Sequence, residues 1–226
     1  MVERHIILKG LKKPYRIPSY LYKKIKGLRD QSRGRISFSH TQVVSWSRPE
    51  FCALLYEQVK LLQTALASCS ATRSLEIGCG YGRLTPWIRD YSKDHYAIEP
   101  EPKLLNDARK LYPAVKFYEA TVQNLPFPNN YFDLIVSWIV LQHIPPKEFP
   151  KAVEEIKRVA RPTATILIAE LTEGKEGKRW WPRSVQEYEK IFKPWKILWS
   201  TKRSKIPLSK NSEKLMLFKN ERQDII

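Results

Sequence analysis

LEIGCGYGRLTPWI, residues 75–88, decides how the rest of the chain is read. A short apolar run ends in Gly78, Gly80 and Gly82, each one residue apart, and a helix start with Pro86 follows. A glycine turn between a buried strand and a helix lets a polar ligand come close to the backbone. Two common ligands fit poorly. A phosphate loop needs G-x-x-x-x-G-K-[ST], but Gly78 is followed five residues on by Arg83, with no Gly-Lys-Ser/Thr. The dinucleotide pattern G-x-G-x-x-G needs its third glycine at 83, where Arg83 stands. What remains is Glu76 before the turn and Glu99 at the end of the next strand, 17 residues after Gly82. A carboxylate at that strand end accepts both hydroxyls of a ribose. Glu76 suits a positive amino group. The pair therefore fits a ligand with an amino acid at one end and a nucleoside at the other.

Working outward, SRPEFCALLYEQVKLLQTALAS (47–68) reads as an amphipathic helix. Ser47 and Glu50 have capping-box spacing, and Phe51, Leu54, Leu55, Val59 and Leu62 recur at helical intervals. Strands are expected at 74–78, 95–100, 115–121, 131–138 and 163–171, with helices at 83–92, 102–113 and 146–162 between them. This alternation predicts right-handed βαβ units and a doubly wound sheet. YFDLIVSW has the near-continuous apolar character of a central parallel strand. The tail reads as one more helix, SVQEYEKIFK, then strands over 195–206 and 213–220 that pair as a hairpin at one sheet edge.

With these elements in order, residues 74–171 resemble the core of the class I S-adenosylmethionine-dependent methyltransferases. LEIGCGYG is similar to the family's first motif and YAIEP to its second. TVQNLPFPNNYFDLIVSWIVLQHI resembles the third and fourth, as found in the branch with quinone-biosynthesis and small-molecule enzymes. The resemblance implies a Rossmann-like α/β fold: a seven-stranded sheet, mostly parallel, with an antiparallel C-terminal strand. It implies S-adenosyl-L-methionine as cofactor and S-adenosyl-L-homocysteine as product. Carried over by position, it puts Gly78, Cys79, Gly80 and Gly82 at the methionine half of the cofactor and has Glu76 order that end. Glu99 and Pro100 fall at the ribose, Thr121 and Val122 beside the adenine, and Ser137 at the sulfonium. Thr121 stands where many relatives carry Asp, so the adenine amino group would meet a hydroxyl or the backbone. No NPPY-like tetrapeptide follows the fourth strand, where IVSWIV stands instead. That argues against base N-methylation by the route using that motif.

Charge divides the chain. Its formal net charge of +17 lies entirely in the flanks: residues 1–50 carry +9, residues 51–173 zero and residues 174–226 +8. Such flanks suit an anionic partner, RNA or a phosphate-bearing molecule, and also suit a solvated surface. Residues 1–46, with Pro14, Pro18, Gly27 and Gly34, read as a basic N-terminal extension. It would cover the open end of the cofactor site and help choose the substrate, with Tyr20, Tyr22, His40 and Trp46 as lid or pocket residues. Residues 47–226 form the expected catalytic domain. In the loop EGKEGKRWWPR (173–183), Lys178, Arg179 and Arg183 surround Trp180 and Trp181, a mixture suited to stacking on bases or gripping an anion. The bland alternative is a packed tryptophan pair with solvated charges.

For methyl transfer, His143 is the candidate base, with a packed or capping role as its alternative. Trp138, Gln142 and Glu170 are candidate wall residues around the acceptor. Cys52, Cys69 and Cys79 have neither C-x-x-C spacing nor nearby histidines, so neither a metal site nor a disulfide framework is expected. No apolar run is long enough for a membrane span and the start lacks a secretory pattern, so a cytoplasmic protein is expected. The leading expectation is a methyltransferase acting on a small-molecule or lipid-like acceptor, with RNA second. The alternative from another class is a nucleic-acid-binding module that keeps this fold without catalysis. A nicotinamide-dependent oxidoreductase is a weaker third reading.

Overall fold

The computed structural model describes residues 49–174, 177, 180–202 and 213–220. The expectations for Tyr20, Tyr22, His40, Trp46, Lys178 and Arg179 lie outside these residues. Helix α1 (Pro49–Ala65) leads into β1 (Ala71–Ile77), the short helix α2 (Thr85–Ile88) and β2 (Ser92–Ile98). Then come α3 (Pro102–Leu111), β3 (Lys116–Tyr118), β4 (Phe132–Trp138), α4 (Phe149–Val159) and β5 (Ala160–Leu171). Helix α5 (Val185–Ile191), β6 (Trp195–Lys202) and β7 (Glu213–Asn220) close the chain segment. The seven strands lie in one sheet in the order β3-β2-β1-β4-β5-β7-β6. Strands β1 to β5 pair in parallel, and β7 runs antiparallel between β5 and β6. The doubly wound sheet with an antiparallel C-terminal strand is thus the fold expected.

Strand alternation sorts side chains into two faces. One face carries Leu75, Ile77, Tyr96, Ile98, Ile166 and Ile168, which join Phe149, Val153 and Ile156 of α4 and Tyr188 of α5 in one buried cluster. The other face of β1 and β2 carries Ser74, Glu76 and His95, all buried. The chain order reverses direction across the sheet between β1 and β4. In such sheets the crevice beyond the carboxyl ends at that point is where ligands bind.

Several element ends differ from the expectation. The helix expected at 83–92 is only α2 followed by a 3-10 turn, Arg89–Tyr91, because the chain turns directly into β2 at Ser92. The outer positions of β2, Ser92–Asp94, are polar and solvent-facing, so they carried no apolar signal. Helix α4 starts at Phe149, with Pro150 in its first turn, and stops at Val159. Strand β5 begins at Ala160, and its pairing with β4 shifts register between Phe132 and Leu134, where Pro162 is accommodated.

Two side-chain anchors fix the loops around the sheet. Glu155 of α4 accepts the Leu125 amide at 2.8 Å, while Arg158 donates to the carbonyls of Phe127 (2.7 Å) and Leu125 (2.9 Å). This ties the LPFPNN segment down across α4. Asp133 accepts the Thr72 and Arg73 amides at 3.0 and 2.9 Å and pairs with Arg161 at 2.8 Å. Asp133→Ala would leave two amides and a guanidinium without this acceptor. We expect a loss of about 1–3 kcal/mol in denaturant unfolding, with the slope m unchanged. An unchanged midpoint would remove this anchor from the account.

Candidate functional site

The turn after β1 is left-handed at all three glycines, with φ of +66° at Gly78, +57° at Gly80 and +89° at Gly82. Only glycine adopts such backbone without strain. Two of them also lack room. A Cβ on Gly78 would lie 2.5 Å from a Val140 methyl, and one on Gly82 would lie 2.6 Å from the Tyr112 ring. A Cβ on Gly80 would meet nothing within 4 Å, so that glycine faces open space. The turn is closed by Cys79 N–H donating to Ile98 O (3.0 Å) and Gly82 N–H to Cys79 O (2.9 Å). Burial raises the Cys79 thiol well above its usual range, which disfavours the thiolate a nucleophile would need.

Glu99, at the carboxyl end of β2, reaches over this turn. Its Oε2 accepts the Gly80 amide at 2.9 Å and its Oε1 the Glu101 amide at 3.1 Å. Burial pushes its carboxyl up, and the two amides pull it back only in part. Glu76 is buried at the end of β1 and accepts the Thr85 hydroxyl at 2.5 Å. Behind it lies a polar chain. His95 Nε2 is 3.5 Å from Glu76, His95 Nδ1 is 2.7 Å from Ser74 Oγ, and that hydroxyl is 2.5 Å from Ser92 Oγ. Arg83 reaches back to hydrogen-bond Gln58 of α1, and burial lowers the guanidinium's pKa.

Across the crevice, β4 ends in Ser137 and Trp138. Ser137 Oγ and Trp138 Nε1 are buried with no partner among the described residues. Ile139 follows with φ of +57°, a costly conformation for a β-branched residue. The next three amides, of Val140, Leu141 and Gln142, all donate to the Glu170 carboxylate at 2.9, 2.7 and 3.1 Å. Glu170 is 0% exposed, and burial pushes its pKa up to about 7. Gln142 is buried; its Oε1 accepts the Leu171 amide at 3.1 Å and its carbonyl accepts the Trp181 amide at 2.8 Å. His143 is exposed, with Nε2 3.2 Å from the Gln142 amide nitrogen.

The structure therefore gathers Glu76, Gly78, Cys79, Gly80, Gly82 and Glu99 around one turn. Ser137 stands level with Ile77 in the strand register beside it. Pro100 and Thr121 are exposed and Val122 is buried. The Trp181 amide brings the 180–183 segment next to the loop after β4, and Trp180 Nε1 is buried without a partner among the described residues. Sequence reasoning did not single out Ser74, Thr85, His95 or Val140. His95 had a signal, a lone histidine in an apolar strand. Val140 had none, because its role is to fill the space a glycine leaves. Among the described residues no set of three or more His, Cys, Asp or Glu is arranged to hold a metal, and no helix is long and apolar enough to cross a membrane.

Comparison with known proteins agrees with this geometry. Residues 75–168 match the family model described as a methyltransferase domain. The malonyl-[acyl-carrier protein] O-methyltransferase of Pectobacterium atrosepticum is 28% identical over 105 residues, 46% of this chain and 41% of that one. The phthiotriol/phenolphthiotriol dimycocerosates methyltransferase of Mycobacterium leprae is 30% identical over 115 residues, 49% of this chain and 42% of that one. The chain thus spans about two fifths of the length of these curated relatives. Among solved structures, a methyltransferase of Leishmania major superposes with a TM-score of 0.69 at 18% identity, covering 87% of this chain and 82% of that one. The N-methyltransferase NodS of Bradyrhizobium japonicum, crystallised with S-adenosyl-L-homocysteine, superposes with a TM-score of 0.65 at 16% identity, covering 88% and 98%. The fold is a Rossmann-like α/β domain. Residues 75–168 match a methyltransferase domain, and these likenesses support the class I S-adenosylmethionine-dependent methyltransferases.

The glycines make a graded prediction. Gly78→Ala and Gly82→Ala meet both backbone strain and a packed neighbour, while Gly80→Ala meets strain alone. We expect the first two to lower unfolding stability by roughly 2–4 kcal/mol and the third by about 1–2 kcal/mol. Denaturant midpoints check the order. Equal losses at all three positions would contradict the packing described.

Proposed function

We propose that the chain is a methyltransferase that uses S-adenosyl-L-methionine to methylate a small-molecule or lipid-like acceptor by in-line displacement. The observation that carries the reading is the Gly80 cradle, open where a Cβ would sit, with the Glu99 carboxylate turned onto its amide and Glu76 buried beside it. The donors and acceptors present fit this cofactor. No lysine follows the turn to meet a phosphate, and two carboxylates face a ligand with an ammonium and a ribose. Ser137 Oγ and Trp138 Nε1 are further polar atoms without partners among the described residues.

In this reading Gly78, Cys79, Gly80 and Gly82 present backbone to the methionine half, and Glu76 orders its amino group. Glu99, beside Pro100, would accept the ribose hydroxyls. Val122 packs against the adenine and Thr121 offers it one hydroxyl. Ser137 borders the sulfonium. The bound cofactor supplies a methyl group that is already activated. What the chain must add is alignment of the acceptor and exclusion of water, and positioning of this kind supplies roughly 7–11 kcal/mol in favourable cases. Trp138, Trp180 and Trp181 are the aromatic candidates for the acceptor wall, with Gln142, whose carbonyl accepts the Trp181 amide, and with Arg179 in the same loop as Trp180. His143 takes a proton only if the acceptor arrives with one. Residues 1–46, with Tyr20, His40 and Trp46, are a basic extension that contributes to acceptor choice, and 47–226 form the catalytic domain.

The relatives named for an acyl-carrier-bound malonyl group and for phthiotriol lipids support an acyl or lipid-like acceptor ahead of RNA. The basic flanks favour an acceptor that carries negative charge. The test uses cofactor labelled in its methyl group, incubated with purified protein and fractionated cell extract. Label is expected in the lipid or small-molecule fraction, and at least about tenfold less with Glu99→Ala. Label confined to RNA would move the acceptor to nucleic acid. Tight, salt-sensitive RNA binding without cofactor binding would replace the enzyme by a binding module.

A further inference from the structure

We propose that Glu170 and Arg183 form a two-sided clamp that positions the loop after β4 against the cofactor's glycine turn. On this inference Glu170 is a positioning residue and not part of the acceptor's wall. The inference rests on the methyltransferase reading of the site.

Three successive amides, Val140, Leu141 and Gln142, converge on the Glu170 carboxylate. Runs of amides of this kind form nests that bind anions. Here the anion comes from the chain itself, and its full burial leaves no oxygen for a ligand. The opposite side of the same loop is held through its carbonyls. Arg183 donates to Leu141 O at 2.9 Å, Ile144 O at 2.7 Å and Trp181 O at 3.1 Å, with its guanidinium 3.7 Å from the centre of the Phe149 ring. A planar fork of donors suits that task better than a flexible ammonium. Acid holds amides, guanidinium holds carbonyls, and the loop is gripped between them.

The loop needs holding because it starts strained. Ile139 sits at φ +57°, and such conformations persist only where their surroundings over-determine them. The Ile139 amide is itself fixed on Ala169 O at 2.7 Å. The consequence reaches the cofactor through Val140. Its amide is in the clamp, and its side chain occupies the space where Gly78 would carry a Cβ. A loosened loop withdraws Val140 from Gly78 and frees the turn.

The ionised carboxylate matters to this arrangement. Glu170 Oε1 takes the Val140 and Leu141 amides and Oε2 takes the Gln142 amide. A protonated acid, or a glutamine, keeps the first oxygen but sets a donor against the Gln142 N–H. The titratable groups that face Glu170 are Arg183, which lowers its pKa, and Tyr188 of α5. With burial holding the acid near about 7, Glu170→Gln reproduces the form populated below that pH.

The test pairs Glu170→Gln with Arg183→Lys, which breaks the other side of the clamp should the first variant fail to fold. Amide exchange at residues 140–142 should quicken on the order of tenfold in both, with exchange in β1 and β4 unchanged. Calorimetry with S-adenosyl-L-homocysteine should show Kd raised about tenfold at pH 8, with wild type and Glu170→Gln converging towards pH 6. Unchanged exchange at 140–142, or an unchanged Kd for S-adenosyl-L-homocysteine at pH 8, overturns the clamp. Wild type that fails to bind the homocysteine product defeats the proposed function instead, and the exchange measurement then decides the clamp alone.

Discussion

Two glycines of the turn after β1 have no space for even a methyl group, and the site is arranged around that constraint. Val140 presses on Gly78 from the loop after β4, and Tyr112 presses on Gly82 from the end of α3. The turn is wedged from both sides of the switch point between β1 and β4. Only Gly80, in the middle, is left facing open space. Backbone that is rigid where it touches protein and bare where it faces the crevice is what a small polar ligand needs for close approach.

Three buried carboxylates surround this turn, and each is satisfied differently. Glu76 takes a hydroxyl from α2 and stands near His95, Glu99 takes two amides, and Glu170 takes three. A buried acid is costly unless hydrogen-bonded, so these differences separate their roles. Glu99 holds one amide of the turn, that of Gly80, and one from Glu101 beyond β2, and its carboxylate has room to accept hydroxyl groups of comparable geometry. Glu170 is fully enclosed and holds amides of a strained loop. The first is suited to meet a ligand, the second to keep a wall in place.

The seven strands and their doubly wound arrangement were legible because they follow from apolar runs and their alternation with helical patterns, as in LEIG, YAIEP and FDLIVSW. The ends of elements were not. Ser92–Asp94 joins β2 with polar residues, and α4 passes into β5 at Ala160 with no turn residue to mark it. In the site, Glu76, the glycines and Glu99 could be picked out by spacing, since a strand end and a turn fix where they fall. Glu170 was read as an acceptor-wall residue from its place at the end of β5. Its partners are backbone amides 28 to 30 residues earlier, and backbone amides leave no mark on a sequence. Arg183 was read as an anion-gripping charge for the same reason: its partners are carbonyls of Leu141, Ile144 and Trp181.

The most direct measurement of the central claim is a calorimetric titration of the purified chain with S-adenosyl-L-homocysteine, repeated in the presence of excess NADH. One site per chain, undisturbed by NADH, is the predicted result. It would mean that the Gly78–Gly82 turn and the two acids receive an amino acid joined to a nucleoside. Binding of NADH with no response to the homocysteine compound would contradict the account and make the turn a dinucleotide site despite Arg83.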